Sequence, residues 1–184
     1  MIAEQIQIQR HQLLDLGKKP PSQTVPAPAV SDLKWTQPSI FRLRYELRSP
    51  ERVVATLHLH GLFRPSATGQ SSDESWIFEP DGRRPGMILV RTRASFRDEA
   101  VFEIGATHKG GLLRVTDGGA YVLSSDFWKG RAEFQTLSGE PLIQFRTHGA
   151  LRLSADVQVL AKARQMPELS WLAMLGWYLI VGYL

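Results

Sequence analysis

Arginine offers this chain its widest chemical scope. Arg42, Arg44 and Arg48 occupy the polar positions of one alternating stretch, and Arg91 and Arg93 share a face of another. Guanidinium forks match phosphate oxygens in pairs, so strands that set these two groups side by side would offer a cationic wall to an anionic ligand. The competing use is cross-strand pairing with Glu46, Glu103 or Glu133, which would consume the same charges. The chain holds 16 arginines and 6 lysines against 18 acidic residues, for a net charge of +4 and a pI of about 9.6. This excess favours anionic partners weakly, and nothing approaches a polybasic tail.

The histidines offer less. On a strand, His58-Leu59-His60 puts two imidazoles on one face about 7 Å apart, with His108 or His148 as further ligands of a metal. Two histidines without a third ligand at diagnostic spacing more simply occupy the outer face opposite Val53, Ala55, Leu57 and Leu59. Ser124-Ser125-Asp126 with the distant His148 has the composition of a hydrolytic set. Serine and aspartate are also ordinary turn residues, and a loop between two strands is expected there. There is no G-x-S-x-G, P-loop, H-E-x-x-H or dinucleotide fingerprint. With no cysteine there can be no disulfide, thiolate nucleophile, palmitoylation or Cys-based zinc site, and with no asparagine no N-glycosylation acceptor. No cofactor or metal is expected, and the balance points to a binding or scaffold module rather than an enzyme.

The elements that must position these residues follow from periodicity. Phe41, Leu43, Tyr45 and Leu47 alternate with Arg42, Arg44, Glu46 and Arg48, the pattern of a half-buried strand. It returns in Val53 to Leu59, in Phe102, Ile104 and Ala106, in Ala132 and Phe134, in Ile143 and Phe145, and in Leu151 to Val159. Apolar runs at Trp76 to Phe78, Met87 to Val90, Leu112 to Val115 and Tyr121 to Leu123 fill the gaps. Glycine-containing turns such as Pro80-Asp81-Gly82, Asp117-Gly118-Gly119 and Ser138-Gly139 separate them. Strands about every ten residues joined by tight turns predict a mainly β fold, an antiparallel meander of about 10–12 strands closing into a barrel or sandwich.

The final stretch, Pro167 to Leu184, is different. After Glu168 it has no charged residue and no polar stripe, so as a helix it must be buried in protein or in lipid. Its 16 residues from Leu169 span about 24 Å, short against a hydrocarbon layer of about 30 Å, and its aromatics are scattered rather than gathered at two boundaries. Burial in protein is the favoured reading, with a tail anchor as the alternative. A barrel of ten or more strands cannot be filled by its own wall, and an all-apolar helix supplies the filling. Gly176 and Gly182 would let it approach the wall closely. The expected organisation is an N-terminal segment 1–16, helix or strand, a proline-rich linker 17–32, and a barrel domain 33–184 with its central helix at about 167–184.

A long antiparallel meander followed by an all-apolar C-terminal helix resembles the tubby C-terminal fold, which includes the phospholipid scramblases and the plant LURP-one-related proteins. The resemblance covers about Leu33 to Leu184, with local echoes in the hairpin-like Leu113 to Leu123 and Phe134 to Ile143. It implies a closed barrel threaded by the helix, and a link to lipid: tubby domains bind phosphoinositide headgroups and scramblases are tied to lipid movement. No lysine-arginine motif matches the tubby lipid site, and the cysteine-rich segment and acidic calcium loop of scramblases are missing. The functional expectation is therefore a module that binds anionic phospholipid peripherally through Arg42, Arg44, Arg48, Arg91 and Arg93, or binds a protein partner. The alternative is an accessory subunit of a membrane complex anchored by the helix. Nucleic acid ranks low, because Phe41 and Tyr45 fall on the core-facing row and leave no exposed aromatics among the arginines. The N-terminus has acidic Glu4 and no continuous apolar run, so it does not read as a signal peptide and a cytoplasmic protein is expected, with membrane association following only from the lipid-binding expectation.

Overall fold

The computed structural model describes residues 33–39, 41–61, 65–149 and 152–183, apart from the side chain of residue 127. The expected segment 1–16 and linker 17–32 lie outside the described residues, as do Leu151 and Leu184.

Among the described residues twelve strands precede one helix: β1 Leu33–Thr36, β2 Arg44–Arg48, β3 Val53–His60, β4 Ser66–Ser71, β5 Ser75–Pro80, β6 Met87–Thr92, β7 Asp98–Ile104, β8 Gly110–Val115, β9 Ala120–Asp126, β10 Arg131–Thr136, β11 Pro141–His148 and β12 Ser154–Val159. Every strand pairs antiparallel with its chain neighbours, and β1 also pairs with β12 through Leu33 to Val157 and Trp35 to Ala155. The sheet is thus a closed barrel. Closure removes both edges, and a pure meander keeps each connection short. Short 3-10 turns at Phe127–Lys129 and Ala163–Gln165 interrupt the connections.

The period-two pattern places its apolar row inside. Tyr45, Leu57, Phe78, Phe102, Phe134 and Phe145 are all buried, and among the described residues no polar or charged residue is. The helix α1, Leu169–Gly182, fills the space they leave, with Trp171 through Leu179 buried. It is uniformly apolar because wall surrounds it on every side. Trp177 stacks on Trp35 of β1 at 5.8 Å and meets Tyr45 edge-on at 5.6 Å, while Tyr178 stacks on Phe78 at 5.7 Å.

Two glycines set the fit. A methyl group on Gly176 would fall 2.5 Å from Phe145 Cζ and 3.1 Å from Phe134 Cε2, and one on Gly69 of β4 would fall 2.7 Å from Met174 Sδ. The expected close approach at Gly176 is present. Gly182 also sits tight, with a hypothetical Cβ at 3.3 Å from Pro65 Cγ.

Four local expectations are corrected. Phe41 and Leu43 do not belong to the inward row: β2 begins at Arg44, and Phe41 is 91% and Leu43 39% exposed. Phe41 precedes the first contact with the wall, and Leu43 joins it only through its backbone oxygen, which accepts from Leu59 N–H at 2.8 Å at the rim of the barrel. Ala106 lies in the turn after β7, and Ser124-Ser125-Asp126 forms the end of β9 rather than a loop. The helix also begins two residues later than expected, with Pro167 and Glu168 forming a turn and Glu168 accepting the first helical bond from Leu172 N–H at 2.8 Å.

Candidate functional site

Strand direction sorts the connections into two ends. At the inlet end, where α1 begins, Trp171 and Glu168 border Glu74, Glu99 and Asp117. At the outlet end, where α1 finishes, the Tyr178 hydroxyl donates to Pro65 O at 2.6 Å, and Tyr183 lies beside it. Burial first, and then the bond to Tyr183, push the Tyr178 phenol far above its ordinary range, so it stays a donor.

The five sequence-selected arginines are not brought together. β2 and β6 are separated by β3, β4 and β5, so the two groups stand about 19 Å apart around the wall. The premise of adjacent strands fails, and with it the continuous cationic wall. Arg44 and Arg48 share one carboxylate, Glu46, at 3.2 and 2.7 Å. Arg91 bridges Asp98 on β7 and Glu79 on β5, and the bond to Asp98 raises its already high pKa. Glu46 is a foreseen partner, but it pairs along its own strand rather than across strands, and Glu79 and Asp98 were not foreseen. Arg42 and Arg93 lie outside the strands, at the outlet and inlet ends respectively, and both are exposed.

What the fold does assemble is a charge difference between the two ends. The outlet connections carry Arg42, Arg83, Arg84, Lys109, Lys129 and Arg152 against one carboxylate, Asp81, among the described residues. The inlet connections carry five cations, among them Arg93, Arg97 and Lys162, against six carboxylates, among them Glu74, Asp117 and Glu168. Asp81 is held below its ordinary carboxylate pKa by the Arg83 backbone N–H and then by the Arg84 side chain at 2.6 Å. Lys129 reaches Asp126 at 3.0 Å, at the last residue of β9. Trp128, 92% exposed, and Phe41 stand among these cations.

Five separate turns contribute these residues. No short motif marks them in the sequence; the available signal was the alternation of turns, since every second connection of a meander lies at the same end.

His58 and His60 share the outer face of β3 as expected. His60 Nε2 bonds Thr68 Oγ1 at 3.2 Å, and His58 is held below its ordinary pKa by burial, then by Arg44 and His60. His148 Nε2 is engaged by Asp156 at 2.7 Å rather than by a serine. Among the described residues no group of three His, Cys, Asp or Glu side chains converges to hold a metal. Among the described residues no helix is long and apolar enough to cross a membrane.

Comparison of the chain with protein-family models, with curated proteins and with solved structures returned no match. The structure therefore defines a class by architecture alone: a closed twelve-strand antiparallel barrel with one C-terminal helix.

Proposed function

We propose that the protein is a non-enzymatic binding module that docks peripherally on anionic phospholipid through the outlet end of its barrel. The observation that carries this reading is the imbalance there, six cations against one carboxylate, with Trp128 and Phe41 exposed among them. Cations near an anionic leaflet add about 1 kcal/mol each, and amphipathic aromatics suit the headgroup layer. The tubby-like order of strands and helix supports a lipid reading by analogy of fold, which is a weaker warrant than the charges themselves. The five arginines first singled out enter this reading unequally: Arg42 belongs to the docking end, and the other four lie elsewhere or are shared with carboxylates.

Co-sedimentation with phosphatidylcholine vesicles, with and without phosphatidylserine, tests it. Binding should require phosphatidylserine and fade with salt over a Debye length of about 8 Å. Changing Lys109, Lys129 and Arg152 to Gln together should weaken it by about 100-fold, at about 1 kcal/mol per charge. Retention of the wild type through molar salt and carbonate would instead favour the helix as an anchor. Absence of vesicle binding at low salt would leave a protein partner as the surviving ligand.

A further inference from the structure

The outer wall holds a second cationic feature, built by register rather than by loops. The β10–β11 hairpin turns over Thr136-Leu137-Ser138-Gly139, where Gly139 takes φ +85° and its N–H donates to Thr136 O at 3.0 Å. Past the turn the ladder shifts between Phe134 and Gln135, whose partners are Ile143 and Pro141, so that Leu142 is the extra residue of a bulge in β11. The register that results sets Arg131 directly opposite Arg146. On the other side of β11, Arg146 faces Asp156 of β12, and Asp156 faces Lys34 of β1. These residues line a groove of about 610 Å³ together with Gln144 and Gln158.

The partners of this row differ from those elsewhere on the barrel. Arg91 and Arg114 reach carboxylates on neighbouring strands. Arg131 and Arg146 have neither an ion pair nor a side-chain hydrogen bond among the described residues, although both are strand residues held face to face. Like charges directly opposite on an antiparallel pair are destabilising. The carboxylates directly opposite them are committed elsewhere: Asp156 to His148 at 2.7 Å and Lys34 at 3.9 Å, and Asp126 to Lys129 at 3.0 Å. Gln144 donates to Glu133, whereas the Gln158 amide has no partner among the described residues and remains available as a donor.

We propose that Arg131 and Arg146 form a binding site for a phosphate-type oxyanion, with the Gln158 amide as a neutral donor beside it and Lys34 holding Asp156 on its far side. Two guanidinium forks supply four or more N–H donors toward a tetrahedral group, and a doubly charged oxyanion between them turns their mutual repulsion into shared attraction. Asp156 limits the site to ligands whose charge is compact enough to sit on the Arg131 side of the row. This site goes beyond the docking reading, because it uses none of the six outlet-loop cations and would stand if those loops bound nothing. A free phosphate and a phosphate headgroup share the required chemistry.

Titration calorimetry of the full chain with pyrophosphate at low salt tests the site, alongside vesicles containing phosphatidic acid. The expected result is one-to-one binding that weakens about tenfold or more in Arg131→Gln and in Arg146→Gln. A Lys109→Gln, Arg152→Gln variant, which leaves Lys129 on Asp126, should bind pyrophosphate as the wild type does. Competition by pyrophosphate for phosphatidic acid vesicles would show that the site takes a headgroup; saturable pyrophosphate binding without competition would show that it takes the free anion. Thermal melts supply a second readout with opposite signs. Without ligand, Arg131→Gln should melt at or above the wild-type temperature, since it removes a repulsion, and with pyrophosphate it should lose the ligand-dependent rise. Equal affinity in wild type and both variants, or no binding by the wild type, would overturn the proposal. So would a clear loss of stability on Arg131→Gln without ligand, because it would make the residue a structural contributor.

Discussion

Gly176 is where a single atom decides the fit between helix and barrel. A methyl group there gains about 1 kcal/mol of helix propensity, but it would enter the ring of Phe145 at 2.5 Å and approach Phe134 at 3.1 Å. Both rings are buried and braced by the wall, so overpacking wins. Gly176→Ala should destabilise by about 1–2 kcal/mol net, measured by urea denaturation; an unchanged or raised midpoint would show that the rings can yield. Tyr178→Phe removes the hydroxyl that donates to Pro65 O and should cost about 1–2 kcal/mol by the same measurement. His58 gives a pH signature. Because burial, Arg44 and His60 hold its folded pKa below 6.5, the unfolded chain takes up a proton first as pH falls. The stability it contributes is present in full above pH 6.5 and is lost as pH drops through the lowered folded value. His58→Gln should flatten the fall in stability between neutral and mildly acidic pH. The side chain is exposed, so the change should be small, and an unaltered pH profile would refute it.

Among the elements, β1 and β4 were the ones the pattern did not reveal, and each has a physical reason. β4 reads Ser-Ala-Thr-Gly-Gln-Ser; its inward positions are Ala67 and Gly69, and Gly69 has to be small because Met174 of the helix and Phe78 of β5 occupy the space before it. Periodicity is carried by large side chains, so a strand that yields room to a neighbour is silent. β1 has four residues, too few to show a period, yet its Trp35 carries the stack on Trp177 and its backbone closes the barrel. The outlet turns, in contrast, touch little of the core. Lys109→Gln with Lys129→Gln should leave stability within about 0.5–1 kcal/mol, since exposed charges and surface ion pairs contribute little. A much larger loss would mean that these loops serve the fold rather than a ligand.

At the scale of the molecule, barrel and helix stabilise one another and neither is a free-standing unit. A twelve-strand wall exceeds the roughly eight strands that side chains can fill, and α1 brings Trp171 through Leu179 into the gap. A chain ending at Met166 should show no cooperative melt and should bind a hydrophobic dye. A sharp melt from the truncated protein would sink this account of the core. Alternation of apolar and polar residues, regular turns and one uniformly apolar terminal segment were together enough to establish a mainly β barrel with a buried helix. Each is a local property, and burial on one face or on all faces is written directly into residue order. The charge surfaces were not legible in the same way. Arg42, Arg44, Arg48, Arg91 and Arg93 look like a set along the chain, but strand order places β3, β4 and β5 between β2 and β6 and gives Arg44, Arg48 and Arg91 to carboxylates. Conversely, Arg131 and Arg146, or Lys109 and Arg152, share no motif and become neighbours in one row or at one end only through register and closure. A strand's inward face is chosen by hydrophobic burial within a few residues. The company its outward face keeps is chosen by which strands pair and in what register, and only the closed barrel decides that.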